Sequence, residues 1–201
     1  MKTSILLFLS CFLVWVSYGQ SVEKLLESAN TKYRLSDYNG ANSDYSKAIE
    51  LDINCLEAYH QRGNIRSILN DHRGAIADYT NAISLDPNKA VLFFNRAMSK
   101  EEIKDYQGAI YDYTRGIELA PSLPFIYLSR GKLKLELEDY RGAIADFTKE
   151  IENNPDSSES YYIRGLSKIM IKQKESGCLD FSRAGELGHS EAYKSIIEIC
   201  N

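Results

Sequence analysis

The sequence predicts an all-α fold, an α-solenoid of stacked helical hairpins closed by a short C-terminal capping helix. Three observations carry that expectation. A ten-residue phrase recurs every 34 residues, as Asp71-His72-Arg73-Gly74-Ala75-Ile76-Ala77-Asp78-Tyr79-Thr80, then from Asp105 to Thr114 and again from Asp139 to Thr148. A fixed period of that length marks a helical repeat array. Apolar residues between the phrases keep helix spacing, as in Val22, Leu25, Leu26 and Ala29. Finally, Pro87, Pro121 and Pro155 keep the same period and stop each second helix, because proline lacks a donor and disfavours helix in the residue before it.

Taken in order, the hairpins fall at about 22–55, 56–89, 90–123, 124–157 and 158–191, with a cap at 192–200. Looser copies of the phrase begin the second helices of the first and fifth hairpins, at Asp37-Tyr38-Asn39-Gly40-Ala41 and Ser176-Gly177-Cys178. In the fourth, helices are expected over Phe125 to Leu137 and Tyr140 to Ile151. Gly188 ends the last long helix with an expected left-handed cap. Ala192 to Ile199 then has no partner helix and should cover the open apolar side of the final hairpin, as terminal repeats require.

Met1 to Gly19 stands apart from this pattern. Lys2 precedes an apolar run from Ile5 to Val16, and Ser17-Tyr18-Gly19 offers small residues at a cleavage site. The run is short for a membrane span, which takes roughly 20 apolar residues. The expectation is a signal peptide cleaved after Gly19, leaving residues 20–201 as an exported, periplasmic or secreted domain without a transmembrane segment. An uncleaved anchor, or a lipid-accepting Cys11, are the alternatives. With Lys2 removed, 23 basic residues face 28 acidic ones, a net charge of -5. No block of like charge calls for nucleic acid.

The repeated residues resemble the tetratricopeptide repeat, a 34-residue helix-turn-helix unit. Tyr59, Phe93, Tyr127 and Tyr161 match its first-helix aromatic, and Gly63, Ala97, Gly131 and Gly165 its small residue four places on. Ala41, Ala75, Ala109, Ala143 and Gly177 match the small residue of the second helix, followed by Tyr45, Tyr79, Tyr113, Phe147 and Phe181. Helices approach closely only where small residues face each other and an aromatic fills the adjoining space. The match departs at the ends, with Leu25 for the aromatic of the first unit and Lys174 for the turn tyrosine of the fifth. The resemblance implies a right-handed superhelix whose first helices line a concave, non-catalytic, protein-binding face.

Carried over residue by residue, that face includes His60, Asn64, Phe94, Met98, Phe125, Leu128, Lys132, Tyr162 and Leu166. Its apolar character suits an unidentified protein or peptide. Self-association through the same patch, giving a homo-oligomer, is the alternative. Family members that hold the carboxyl terminus of cytosolic chaperones use a Lys, Arg and Asn clamp; here Phe125 and Ser129 stand where its basic residues should be.

A second ladder runs at the same period. Arg62, Arg96, Arg130 and Arg164 recur on first helices, and Asp44, Asp78, Asp112, Asp146 and Asp180 on second helices. Each Arg is expected to pair with an Asp, within a unit or across neighbours. The three histidines are scattered, and no paired-histidine, paired-cysteine or phosphate-cradling motif is present. No catalytic residue, metal site or cofactor is therefore expected. Cys178 and Cys200 could bridge the last repeat to the cap, or stay free thiols with Cys55.

Overall fold

The structure is a computed structural model and describes residues 21–201; the expected signal peptide over 1–19 lies outside them. Among the described residues there are helices and no strands. The first helix, α1, covers residues 21–34. It is followed by α2 (Tyr38–Leu51), α3 (Leu56–Ile68), α4 (His72–Leu85), α5 (Ala90–Glu102) and α6 (Tyr106–Leu119). Then come α7 (Ile126–Glu136), α8 (Tyr140–Asn153), α9 (Ser158–Met170), α10 (Lys174–Glu186), and α11 (Ala192–Ser195), which continues as a single π-helical turn, Ile196–Cys200. The chain is an α-solenoid in class, and it divides into two compact units, one ending at Ile103 and one spanning Lys104–Asn201.

The recurring phrase is first of all a cap. Asp37, Asp71, Asp105 and Asp139 are the N-caps of α2, α4, α6 and α8, and each carboxylate accepts from the backbone N–H of the glycine three places on, at 2.9–3.0 Å. Such a cap contributes about 1 kcal/mol. Each Asp follows a non-glycine residue held at positive φ: Ser36, Asn70, Lys104 and Glu138, between 59° and 62°. That left-handed residue reverses the chain within the hairpin. In the fifth hairpin Gln173 takes the capping place and makes no side-chain bond.

Within a hairpin the small and aromatic residues interlock. In the first unit Ala29, Ala41, Tyr45, Ala48, Ala58 and Ile65 form one buried cluster, and Tyr59, Ala82 and Leu92 another. In the second unit Leu128, Ala143 and Phe147 pack together, with Ile163 of the next hairpin laid against them. A Cβ added at Gly131 would stand 2.7 Å from the Phe147 ring, so the glycine is what lets α7 and α8 close. Gly63 meets Tyr79 in the same way, and Gly165 meets Phe181.

The charge ladder pairs within the second, fourth and fifth hairpins. Arg62 donates to Asp78 from Nε at 2.9 Å and Nη2 at 2.6 Å. Arg130 does so to Asp146 at 2.9 and 2.5 Å, and Arg164 to Asp180 at 2.9 and 2.7 Å. The acids are buried, and each takes a second cation one turn further along the first helix: Arg66 to Asp78 at 2.9 Å, Lys134 to Asp146 and Lys168 to Asp180 at 2.8 Å. The remaining arginine nitrogen reaches back to a hydroxyl on the preceding hairpin. Arg62 donates to Ser46, Arg96 to Thr80, Arg130 to Thr114 and Arg164 to Thr148, at 3.0–3.2 Å. The guanidinium groups also lie 5.4–6.0 Å over Tyr59, Phe93, Tyr127 and Tyr161.

The first hairpin has no such arginine. Ser28 and Lys32 bond Asp44 instead, at 2.7 and 2.5 Å. Burial pushes the Asp44 carboxyl up, but the bonds from Lys32 and Ser28 and the charges of Lys32 and Lys47 hold it below its ordinary value on balance.

Candidate partner-binding surfaces

In the first unit the expected face lies on α3 and α5. Its polar residues are already engaged with one another. Asn64 Oδ1 accepts from the Tyr79 hydroxyl at 2.9 Å and from Asn95 Nδ2 at 3.0 Å, while its own Nδ2 donates to Gln61 at 3.0 Å. Asn95 Nδ2 also lies 3.1 Å from His60 Nε2. Burial, with the Lys89 charge, pulls His60 below its ordinary value against the opposing pull of Glu57. A neutral imidazole with Nε2 accepting from Asn95 fits both facts. Burial and the Asp78 charge likewise hold the Tyr79 phenol in its protonated, donating form.

The same device occurs one repeat earlier, where the Tyr45 hydroxyl donates to Asn30 Oδ1 at 2.5 Å. Burial there, helped by the charge of Glu57, pushes the phenol up to about 12. A second-helix tyrosine thus fixes the carboxamide of a first-helix asparagine, whose amide nitrogen donates to a side chain of the second repeat's first helix, Glu57 for Asn30 and Gln61 for Asn64. An open cleft lined by Glu27, Asn30, Thr31, Tyr33, Arg34 and Gln61 lies beside it. The sequence reading missed this cleft because it carried over no first-helix residue from the first, atypical repeat. The Asn30/Asn64 and Tyr45/Tyr79 spacing was its available signal. Of the expected apolar residues on this unit, Phe94 is half-buried and Met98 is exposed at 47%.

In the second unit the expected residues separate into three groups. Phe125 is exposed at 57%. It is not the first residue of α7, as the pattern predicts, but its N-cap, with φ 63° and ψ 0°. The cause is local. Ile126 N–H donates to the Leu123 carbonyl across Pro124-Phe125, the arrangement of a turn with proline second and a positive-φ residue third, where glycine is the usual occupant. A left-handed phenylalanine costs about 1–2 kcal/mol.

Leu128 must be removed from the candidate surface. It is 8% exposed and lies in the core with Ala143 and Phe147, a cluster that Leu135 and, from the following hairpin, Ile163 pack against. Lys132 and Leu166 are half-buried, and Lys132 Nζ pairs with Glu159 at 2.6 Å. Tyr162 is half-covered by the chain terminus. Its ring stacks on His189 at 4.0 Å and its hydroxyl lies 3.2 Å from Ser195 Oγ. Cys178 and Cys200 are joined in a disulfide with Cα atoms 5.9 Å apart, and Cys55 is a half-buried free thiol.

One polar residue of this unit has no counterpart elsewhere. Glu150 is buried at a position where the period places Ala48, Ala82, Gly116 and Ala184. Its carboxylate accepts from the backbone N–H of Leu128, in the first turn of α7, where Phe125 supplies no side-chain cap. Burial nonetheless pushes its carboxyl up.

Among the described residues, no group of three or more His, Cys, Asp or Glu side chains is placed to hold a metal ion. No described helix is long and apolar enough to cross a membrane.

Comparison with known proteins agrees with this architecture. Residues 56–89 and, separately, 128–167 match family models described as tetratricopeptide repeat. Both matches support a tetratricopeptide-repeat protein. No curated protein sequence matches the chain. Among solved structures, the MamA protein is similar over 87% of this chain and 96% of its own, with 21% identity and a TM-score of 0.81. YrrB, described as a TPR protein with an unusual peptide-binding site, is similar over 89% and 96%, with 18% identity and a TM-score of 0.78. The first TPR of Spaghetti, bound to an HSP90 peptide, covers 59% of this chain and 94% of its own, with 21% identity and a TM-score of 0.57. At these identities the likeness is one of fold.

Proposed function

We propose that this tetratricopeptide-repeat chain is a non-catalytic interaction scaffold that takes a segment of a partner protein on the exposed side chains of its first helices. The observation that carries this reading is Phe125. A large aromatic stands 57% exposed at a backbone position that favours glycine. Residues held in such conformations concentrate at binding and active sites, and aromatic anchors dominate protein interfaces. Met98, exposed at 47%, supplies an adaptable apolar contact on the other unit. YrrB and the Spaghetti repeat are described with peptides, which supports the class of ligand. The polar groups of the first unit's first helices, Asn64, Asn95 and His60, hold one another in place. That suits orientation of a ligand better than chemistry on it.

The same exposed residues also fit self-assembly, which is the second reading. The chain is further proposed to be exported, on the strength of the apolar segment Ile5 to Val16.

The test uses residues 20–201 immobilised against proteins of its own cell envelope, beside a Met98→Asp/Phe125→Gly variant. Both substitutions are at exposed sites, so circular dichroism should be unchanged. Loss of a retained protein from the variant alone supports the scaffold. Equal retention by both chains refutes it. Sedimentation at several concentrations separates self-assembly, and fractionation with and without Met1 to Gly19 tests export.

A further inference from the structure

The last 13 residues occupy the place that a next repeat's first helix would fill, yet they lack what locks such a helix. Counting 34 residues on from Tyr161 and Gly165, the aromatic and small positions hold Ser195 and Ile199. The α-helical part is four residues long, followed by one π-helical turn. Isolated segments of that length do not hold helical form, which takes roughly 12–15 residues even in favourable sequences.

The non-covalent contacts are correspondingly few. Gly188, at φ 88°, turns the chain off α10, with its own N–H on the Gly185 carbonyl and that of His189 on Ala184. The His189 ring stacks on Tyr162, but its Nδ1 is buried without a hydrogen-bond partner. Ser195 meets Tyr162, and the Tyr193 ring lies against Gly185. Ala192 is buried and Ile196 and Ile199 are half-buried, whereas Tyr193 and Ile197 remain 60% and 68% exposed, so only part of the tail's apolar surface holds it. One contact is covalent, the Cys178–Cys200 disulfide, which closes a span of 22 residues from the body of α10 to the penultimate residue of the chain.

We infer that the Cys178–Cys200 disulfide is a redox latch on this tail: oxidised, it holds the cap closed, and reduced, it lets residues 189–201 leave the face around Tyr162 and Gly185. The two half-cystines are half-buried, not enclosed in the core, so an outside thiol can reach them. The reductant is a dithiol. Its thiolate attacks one bridge sulfur and forms a mixed disulfide, and its second thiol displaces the cysteine. Two electrons and two protons pass to the chain, giving two cysteine thiols, and the dithiol closes to its own disulfide. In the fourth hairpin, by comparison, the cluster of Leu128, Ala143 and Phe147 is met by Ile163 of the next first helix. This inference stands apart from partner binding at Met98 and Phe125.

Hydrogen exchange read by mass spectrometry tests it on residues 20–201 carrying Cys55→Ser, which removes the third thiol. Three samples are compared: oxidised, reduced with dithiothreitol, and a further Cys178→Ser/Cys200→Ser variant. Opening a loop of this size shifts the closed-to-open ratio roughly a hundredfold. Amides of residues 189–200 should therefore exchange about that much faster after reduction and in the variant, recovering on reoxidation, while α7 and α8 keep their rates. Should the variant fail to fold, reduction of the otherwise intact chain gives the same reading. Unchanged tail exchange after reduction overturns the latch. So does an equal rise across α7 to α10, which would make the bridge a staple of the whole unit.

Discussion

Replacing Arg130 and Asp146 singly and together tests whether the buried ladder holds each hairpin as a unit. Asp146 accepts two bonds from Arg130, at 2.9 and 2.5 Å, and a third from Lys134 at 2.8 Å. The acid is 3% exposed and the two basic side chains are 14% and 19% exposed. Removing one partner of a buried pair typically costs 3–5 kcal/mol, because the other charge is stranded. Here the two changes differ. Asp146→Leu leaves two cations without their anion and should cost about 3 kcal/mol, the low end because both can lean toward water. Arg130→Met leaves Asp146 with Lys134, so its cost should be about 2 kcal/mol, including the lost stacking over Tyr127 and the bond to Thr114. The double variant strands only Lys134 and should lose about 2 kcal/mol, giving a coupling of about 3 kcal/mol.

The assay is urea unfolding of residues 20–201 followed by circular dichroism, since Trp15, the only tryptophan, lies in the expected signal segment. Hydrogen exchange of α7 and α8 accompanies it, because repeat arrays depart from two-state behaviour. A coupling below about 0.5 kcal/mol would mean that the two residues act independently, and the ladder would then have no part in closing the hairpin.

Two further outcomes follow from single side chains. Glu150 has its carboxyl raised by burial, so the folded chain binds its proton more tightly than the unfolded chain does. Its contribution is therefore most favourable below the ordinary carboxylate range and declines as pH rises through the raised value. Glu150→Gln should remove that decline from the pH profile of urea unfolding, and an unchanged profile refutes the assignment. Gly131→Ala places a Cβ 2.7 Å from the Phe147 ring and should cost about 1–3 kcal/mol in the same assay. Ala at the equivalent Ala97 is native, so a neutral result at Gly131 would show that the α7–α8 contact can relax.

Much of this was legible because the period samples each position several times. The recurring phrase announced the period and the start of each second helix, and the Arg and Asp series announced a pairing. What escaped notice is the third member of the ladder. Ser46, Thr80, Thr114 and Thr148 keep the period too, but a hydroxyl on a helix reads as ordinary surface until a neighbour's guanidinium is seen beside it. Leu128 was misplaced because the carry-over from the family assigns a face within one hairpin and cannot see Ile163 arriving from the next. Phe125 was read as helical because its backbone depends on the turn through Pro124, a matter of φ that an apolar pattern does not encode.

The back-reaching arginines also give the array a grammar. Each arginine from the second hairpin onward reaches a hydroxyl behind it, at Ser46, Thr80, Thr114 or Thr148, and those of the second, fourth and fifth hairpins also hold an acid of their own hairpin. The first hairpin carries Ser28 where the others carry arginine, and so asks nothing of a predecessor. It can open a sentence but is the wrong word for its middle. An interior 34-residue block, by contrast, brings both its own arginine and the hydroxyl that its successor requires. Duplication or deletion of such a block would leave every junction grammatical, so arrays of this kind can change length without inventing a new interface.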